Sequence, residues 1–475
     1  MIIEQMVEQL STLGRRKTDP LVWETAMYYF GSIMLNKYNF KKLTGSRDIK
    51  YYSIVFASSG VGKSYAIKEV EKLCGLEQYP QIMMSVYDKI TSSLPEQPSD
   101  VNEIRRYMPK SVTVGLEGTS EGLYQVTQSQ VASAFGSLNL ATEEFGESIG
   151  SSSGLLSKLK ELHDGVFKSK IIKGDHDSEM KPDIENICSN FIGLGSKKGV
   201  TAEAKKELTR IATSGLYRRS FIIDSKAIVE KNKEFSDISK LQEYMEALNE
   251  NFRADFIQRR ETNILSERIF DLADDYHEKA EAIDDELIDR AQKERFNEFA
   301  QYDTGSLDII ESLAHIIAFL EWDTTVTASH LDKAFDFFKR TRVSVEDTFR
   351  FIHPYRLMYD ILHLRDNMTI SEMAEIEGEI PISSGKVSDN IALLEELCYR
   401  NDEVLIRNEG KVTRYRVEQL PVNKLDKLIV SINDEDKGAY AVDFKPLEMD
   451  WEQLHLLVKS EKAQSFTTAH FEPSA

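Results

Sequence analysis

The chain has 475 residues, a formal net charge of −20, 41% hydrophobic residues and 29% charged residues. That apolar fraction is enough to build cores, which excludes wholesale disorder, and at roughly 100–200 residues per domain the length divides into two to four domains. No apolar run approaches the ~18 residues of a membrane-spanning helix, so no transmembrane segment is expected.

The opening residues Met1–Glu8 carry acids where a signal peptide carries a basic region and an apolar run, so export is not expected. Cys74, Cys188 and Cys398 are far apart and share no CxxC spacing. That excludes a disulfide framework and a thiolate zinc site, and it fits a reducing cytoplasm. The acidic balance opposes non-specific coating of DNA. It leaves room for a local basic channel, because charge fields fade over a screening length of about 10 Å.

Residues 1–50 read as helical. In Leu21–Leu35 apolar residues recur so densely that the helix should be well buried, and Asp19-Pro20 is its start signal. Tyr51–Phe56 reads as a strand, followed by a Ser/Gly loop and a helix over Ser64–Leu73. Further strands are expected at Val112–Leu116, Ser137–Thr142, Ile187–Leu194 and Phe221–Ile223. Strands alternating with helices predict a parallel sheet flanked by helices, here over 51–225. Ala227–Ala300 lacks Gly and Pro and mixes both charges, which predicts long helices with solvated faces; the helical pattern continues through 301–350. After His353-Pro354, helices are expected at Tyr355–Leu364, Ser371–Glu377 and Gly385–Tyr399. Strands follow at Glu403–Arg407 and Lys411–Val417, joined by Asn408-Glu409-Gly410. Three helices and a hairpin over 353–420 are the order of a winged helix. Residues 421–475 form a last segment, with Ala439–Val442 and a helix near Trp451–Val458.

The strongest motif is Ala57-Ser58-Ser59-Gly60-Val61-Gly62-Lys63-Ser64, a phosphate loop with Ala in place of its first Gly. Phosphate oxygens need several N–H donors at close range. Gly60 and Gly62 let the backbone approach, and the following helix adds its N-terminal amides. In this reading Ser58 to Ser64 bind ATP, Lys63 reaches the β- and γ-phosphates, and the Ser64 hydroxyl ligates Mg²⁺. Hydrolysis also needs acids. The strand Ser137–Thr142 empties into Glu143 and Glu144, read as the magnesium carboxylate and the group that polarises the attacking water. The alternative is a solvated acidic strand end. Ser196 and Asn190, on the next strand, are candidates to touch the γ-phosphate, or else polar members of a plain core strand. Arg219, and after it Arg218, precede a short strand and suit a charge offered to a neighbouring subunit's nucleotide; a structural ion pair is the alternative.

Taken in order, several features resemble one family. They are the helical lead-in, Ala57–Ser64, Thr119-Ser-Glu-Gly-Leu123, Glu143-Glu144, Leu159-Lys-Glu-Leu-His-Asp-Gly165 and Gly215-Leu-Tyr-Arg-Arg219. The family is the phage and prophage P-loop ATPases that accompany primases. It is similar to viral superfamily-three and minichromosome-maintenance helicases of the AAA+ group. The resemblance spans roughly residues 15–350, and Glu143 stands where that pattern has Asp. It implies an AAA+-like core at 51–225 and a helical insertion and lid at 226–352. It further implies a hexameric ring, and a hairpin before the sensor strand that grips DNA in the pore. That hairpin's interval contains Lys158, Lys160, Lys168, Lys170 and Lys173; an ordinary solvated face is the alternative.

These readings add up to an ATP-driven, magnesium-dependent replicative helicase in a bacterial host's cytoplasm. It would act on single-stranded or forked DNA, with a primase or polymerase partner at the C-terminal region. The rivals are a loader or remodeller acting on a protein, and a nucleotide-gated DNA-binding adaptor.

Overall fold

The computed structural model describes residues 2–13, 17–35, 48–57, 60–78, 88, 92, 111–116, 122–127, 137–143, 145, 155–168, 183–185, 187–196, 215–225, 237–261, 270–294, 298–348, 354–365, 367–377, 387–401, 403–408, 412–419, 428–433 and 439–444. The chain forms two compact units, Met1–Phe349 and Arg350–Ala475.

The first unit is built on a five-stranded parallel sheet. Its strands are β1 (Tyr52–Phe56), β2 (Val114–Gly115), β3 (Ser137–Thr142), β6 (Cys188–Gly195) and β7 (Phe221–Asp224), in the spatial order β2-β3-β6-β1-β7. Continuous apolar runs such as Tyr-Ser-Ile-Val-Phe form these strands because both faces are covered. β1 and β6 are buried along their whole length. The chain leaves β1 toward the β2 edge and returns past it to β7. The carboxyl end of β1 is therefore a topological switch point, where open α/β sheets bind ligands. This α/β architecture is compatible with a P-loop nucleotide-binding fold. The expected strand boundaries agree within two residues.

Ahead of the sheet run α1 (Ile2–Ser11) and α2 (Pro20–Leu35). Every residue of α2 from Val22 to Leu35 is buried. An added Cβ at Gly31 would lie 3.0 Å from Ile316, so the glycine lets α2 lie close against α8 (Leu307–Leu320). Helix α3 (Lys63–Leu73) follows β1. Helix α4 (Leu155–His163) leads into an antiparallel pair of β4 (Val166–Phe167) and β5 (Ile184–Glu185).

The region after 225 is helical but not continuous. It holds α5 (Ser239–Glu261), α6 (Tyr276–Lys293), α7 (Glu298–Asp303), α8 and α9 (Ala328–Thr348). The expected helical run is interrupted where β8 (Asp271–Leu272) pairs in parallel with β9 (Thr325–Val326). A tertiary pairing overrides helix propensity there.

In the second unit, α10 (Pro354–Leu364), α11 (Ile370–Glu377) and α12 (Val387–Arg400) precede an antiparallel pair, β10 (Glu403–Asn408) and β11 (Arg414–Gln419). Met368 bridges Tyr415 of β11, a contact the sequence did not suggest. Met358, Met373, Leu394 and Cys398 form its core. A capping box starts α11, with Thr369 N donating to Glu372 at 2.8 Å and Glu372 N donating to Thr369 Oγ1 at 3.1 Å. A second hairpin, β12 (Leu428–Asn433) with β13 (Ala439–Phe444), contains the expected Ala439–Val442 strand. The helix expected near Trp451–Val458 lies outside the described residues. Among the described residues, no helix is long and apolar enough to cross a membrane.

One ion cluster ties the end of α8 to α9. Glu321 bonds Lys333 and lies 3.5 Å from His330 Nε2. Burial opposes its ionisation, but His330 and Lys333 outweigh burial and hold the carboxyl down at about 2. A depressed carboxyl stabilises the fold fully above its unfolded value of ~4.3, and that contribution is lost as pH falls toward the folded value. Melting curves between pH 7 and 2.5 should therefore show Glu321→Gln losing less stability than wild type below about pH 4.3. Parallel acid limbs would contradict this.

Candidate nucleotide-binding site

The loop begins where β1 ends, with Ala57 N donating to Gly195 O at 3.1 Å. Gly60 and Gly62 have φ of +82° and +88°, the left-handed region that side chains resist. Helix α3 starts at Lys63, and its first intrahelical bond runs from Ala66 N to Gly62 O. Its first-turn amides thus have no intrahelical acceptor and carry the positive end of the helix dipole. Lys63 Nζ donates to Gly195 O at 2.7 Å and to Ala57 O at 3.5 Å. The ammonium therefore lies across the carboxyl ends of β1 and β6. Ser64 is half-buried in the first turn, and Val61 sits between the two glycines. Ser58 and Ser59 lie outside the described residues.

The same sheet edge gathers other expected residues. Thr142 ends β3 opposite Gly193 of β6. Glu143 follows at once, exposed, 3.9 Å from Lys68 of α3. Glu144 lies outside the described residues. Ser196 is the first residue after β6 and is half-buried. Added Cβ atoms at Gly193 and Gly195 would lie 2.9 Å from Phe191 and 3.0 Å from Phe56, so both glycines permit close ring packing under this edge. Sequence reading missed Asp224. It ends β7 in register with Phe56 and is buried beside the loop strand. An acid closing a four-residue apolar strand was the available signal.

Asn190 is not brought to this edge. It is the third residue of β6, five positions before Gly195, about 17 Å away at ~3.3 Å per residue. Its side chain accepts from Tyr51 N and donates to Asn139 Oδ1, both at 3.0 Å, and Asn139 in turn donates to Val112 O. This buried amide chain stitches the amino ends of four strands, β1, β6, β3 and β2.

Arg219 also belongs to the amino end, just before β7. Its Nε and Nη2 hold Asp164 at 2.9 and 3.1 Å, and Nη1 donates to Gly215 O. The adjoining His163 imidazole and the Arg219 fork, against burial, hold Asp164 down at about 2. Burial, joined by Lys50, pushes His163 down to about 4 despite Asp164, so its ring is neutral at physiological pH. Arg218 is exposed. The turn that bears both arginines is clamped from α9. Arg342, 3% exposed, donates to Tyr217 O and Ser220 O at 3.2 Å and to Asp303 at 2.9 Å. Its guanidinium also lies 4.1 Å from the Tyr217 ring.

The lysine interval resolves in part. Lys158 is buried, pairs with Glu161 at 2.6 Å, donates to Lys168 O and lies over the Phe167 ring, so it is an internal strut. Lys160 is half-buried and Lys168 exposed. Lys170 and Lys173 lie outside the described residues, between β4 and β5.

For magnesium, Ser64 and Glu143 offer hard oxygen donors on one edge, the chemistry that ion prefers. Glu321, Asp323 and His330 also converge closely enough to suggest a cation site. However, Thr327 N donates to His330 Nδ1 at 3.0 Å, which puts the ring proton on Nε2. Nε2 then donates to Asp323, and Lys333 supplies the positive charge. The cluster is complete without a metal.

The two arginines of the amino end should differ in worth. Arg342→Met leaves the buried Asp303 only Arg290, at 3.3 Å, and unpairs the Tyr217 and Ser220 carbonyls, so it should remove about 2–3 kcal/mol, whereas Arg219→Met, opposite a half-exposed Asp164, should remove at most about 1 kcal/mol. Urea unfolding of the two variants measures the difference, and equal losses would contradict it. No protein-family model matches the chain, and no curated protein matches it.

Proposed function

We propose that the chain is an ATP-hydrolysing DNA helicase of a phage-type replication system, working as a hexameric ring of the AAA+ kind. The observation that carries the ATPase part is the placement of Lys63. It sits at the head of a helix that follows two left-handed glycines, at the carboxyl ends of adjacent parallel strands, with Glu143 ending the next strand over. Backbone amides and Lys63 would bind the β- and γ-phosphates. Ser64 and Glu143 would hold Mg²⁺, which supplies charge neutralisation there when bound. Glu144 would orient the attacking water, Ser196 would contact the γ-phosphate, and a neighbouring subunit's Arg219 or Arg218 would meet the transition state. Arg219 stands at the sheet end away from its own loop, and to serve another subunit it would exchange the Asp164 and Gly215 partners that hold it here.

The step from ATPase to helicase rests on the resemblance. It is supported by the β4–β5 pair, which falls between the carboxylate strand and the sensor strand as a pore hairpin should, with Lys168 at its base. In the second unit, three helices, a hairpin and the Met368–Tyr415 bridge support a winged helix. The arginines of β10 and β11 are answered internally: Arg407 by Glu395, Arg414 by Glu372 and Arg416 by Glu418. That pairing favours docking of a primase or polymerase over DNA contact, and it is also the observation that keeps the protein-remodelling reading in play.

Wild-type protein with ATP and magnesium should displace a strand from forked DNA bearing a 5′ or 3′ tail, and Lys63→Ala should abolish turnover. Substituting Lys168, Lys170 and Lys173 together should remove DNA stimulation of ATPase while basal turnover persists, and DNA affinity should fall steeply with salt. ATP turnover without strand displacement, with the triple variant unchanged, would point to the remodeller. No turnover under any condition would point to the adaptor.

A further inference from the structure

We infer that Thr18 is a positioning residue of the phosphate loop, aiming the Gly62 amide at the nucleotide; the inference rests on the nucleotide-binding reading of that loop. Thr18 lies 43 residues before Val61 in a segment the motif does not include. Its side chain is nonetheless buried, and its Oγ1 donates to Val61 O at 3.2 Å. The segment is held there for local reasons. Asp19 caps the next helix by accepting from Leu21 N at 3.0 Å, and Pro20 opens α2. Trp23, one turn on, meets Tyr65 of α3 edge-to-face with ring centroids 6.1 Å apart. The start of α2 is thus parked against the start of α3, with Thr18 facing the loop.

The consequence follows from the planarity of the peptide unit. The Val61 carbonyl and the Gly62 N–H belong to one trans peptide and point in opposite directions. A hydroxyl that holds the carbonyl on the α2 side turns the N–H to the opposite side, toward the cradle headed by Lys63. On its far side that peptide is joined to Gly62, at φ +88° and without a Cβ to resist rotation, so an external hold on it matters. The approach is close. A Cβ on Gly62 would stand 2.7 Å from Thr18 Oγ1, so Gly62 is required by this contact as well as by its own backbone conformation.

The test compares three substitutions in the full chain, using ADP with magnesium as the calorimetric probe and steady-state ATPase as a second readout. Thr18→Val keeps the shape and Thr18→Ala shrinks it; both remove the donor, while Thr18→Ser keeps it. Losing one preorganising hydrogen bond should raise the ADP Kd and the ATP KM about tenfold in the Val and Ala variants. The turnover number at saturating ATP should stay within about twofold, and the Ser variant should bind like wild type. A purely structural role would not produce this split or its rescue by serine. Wild-type affinity in Thr18→Val overturns the inference, as does failure of both the Val and Ala variants to fold while the Ser variant folds. If Lys63→Ala abolishes ADP binding while Thr18→Val does not alter it, only this inference fails. If wild-type protein binds no ADP, the nucleotide reading itself fails.

Discussion

The first unit depends on burying one helix on all sides. Helix α2 is apolar around nearly its whole circumference, and such a helix is stable only inside a core. Trp23, Tyr29 and Phe30 are fully buried, and side chains of that size each remove roughly 150–250 Å² from water. Everything that covers α2 is thereby fixed with respect to it. Tyr29 Oη donates to Leu140 O on the carboxylate strand at 3.0 Å. Glu24 accepts from Nη1 and Nη2 of Arg340 on α9, at 2.8 and 2.9 Å. The helix start reaches the phosphate loop through Thr18. The loop after β1, strand β3 and helix α9 are thus referred to a common post.

Helix α9 performs the complementary task. Arg340 and Arg342 stand two positions apart, one gripping α2 and the other the turn that carries Arg218 and Arg219. Helix α9 is thus bonded to elements at both ends of the sheet: to α2, whose start meets the loop after β1, and to the Tyr217–Ser220 turn at the amino end. The acidic composition serves this arrangement. Glu24, Asp303, Glu311 and Glu403 are buried acceptors for Arg340, Arg342, Tyr276 and Tyr359. These four of the chain's 79 acids work as internal anchorage.

What the sequence could reveal is what local pattern encodes. The strands of the sheet were legible because each is a short run in which apolar residues dominate, and the loop because its glycine, lysine and serine spacing matches a phosphate-binding motif. The burial of α2 was legible from its density of apolar residues. Partners separated by tens of residues were not. Nothing near Asn190 announces Asn139, nothing near Arg219 announces Asp164, and nothing near Gly62 announces Thr18. The break between α5 and α6 was hidden for the same reason, since the pairing that interrupts it comes from Thr325–Val326. Lys158 shows the limit of charge patterns: a lysine on a polar-looking face is buried once an aromatic ring, a carboxylate and a carbonyl converge on it.

The cysteines carry a practical consequence. Cys74, Cys188 and Cys398 account for every thiol in the chain, and all three are buried. Burial pushes the Cys398 thiol up to about 12 and that of Cys74 well above its ordinary range, so neither forms appreciable thiolate near neutral pH. The native surface is thus silent toward maleimide and iodoacetamide reagents. A single cysteine introduced beside the loop after β1 or on the Tyr217–Ser220 turn could carry a fluorophore or spin label without prior removal of native thiols, so that distances between the two ends of the sheet could be followed in solution.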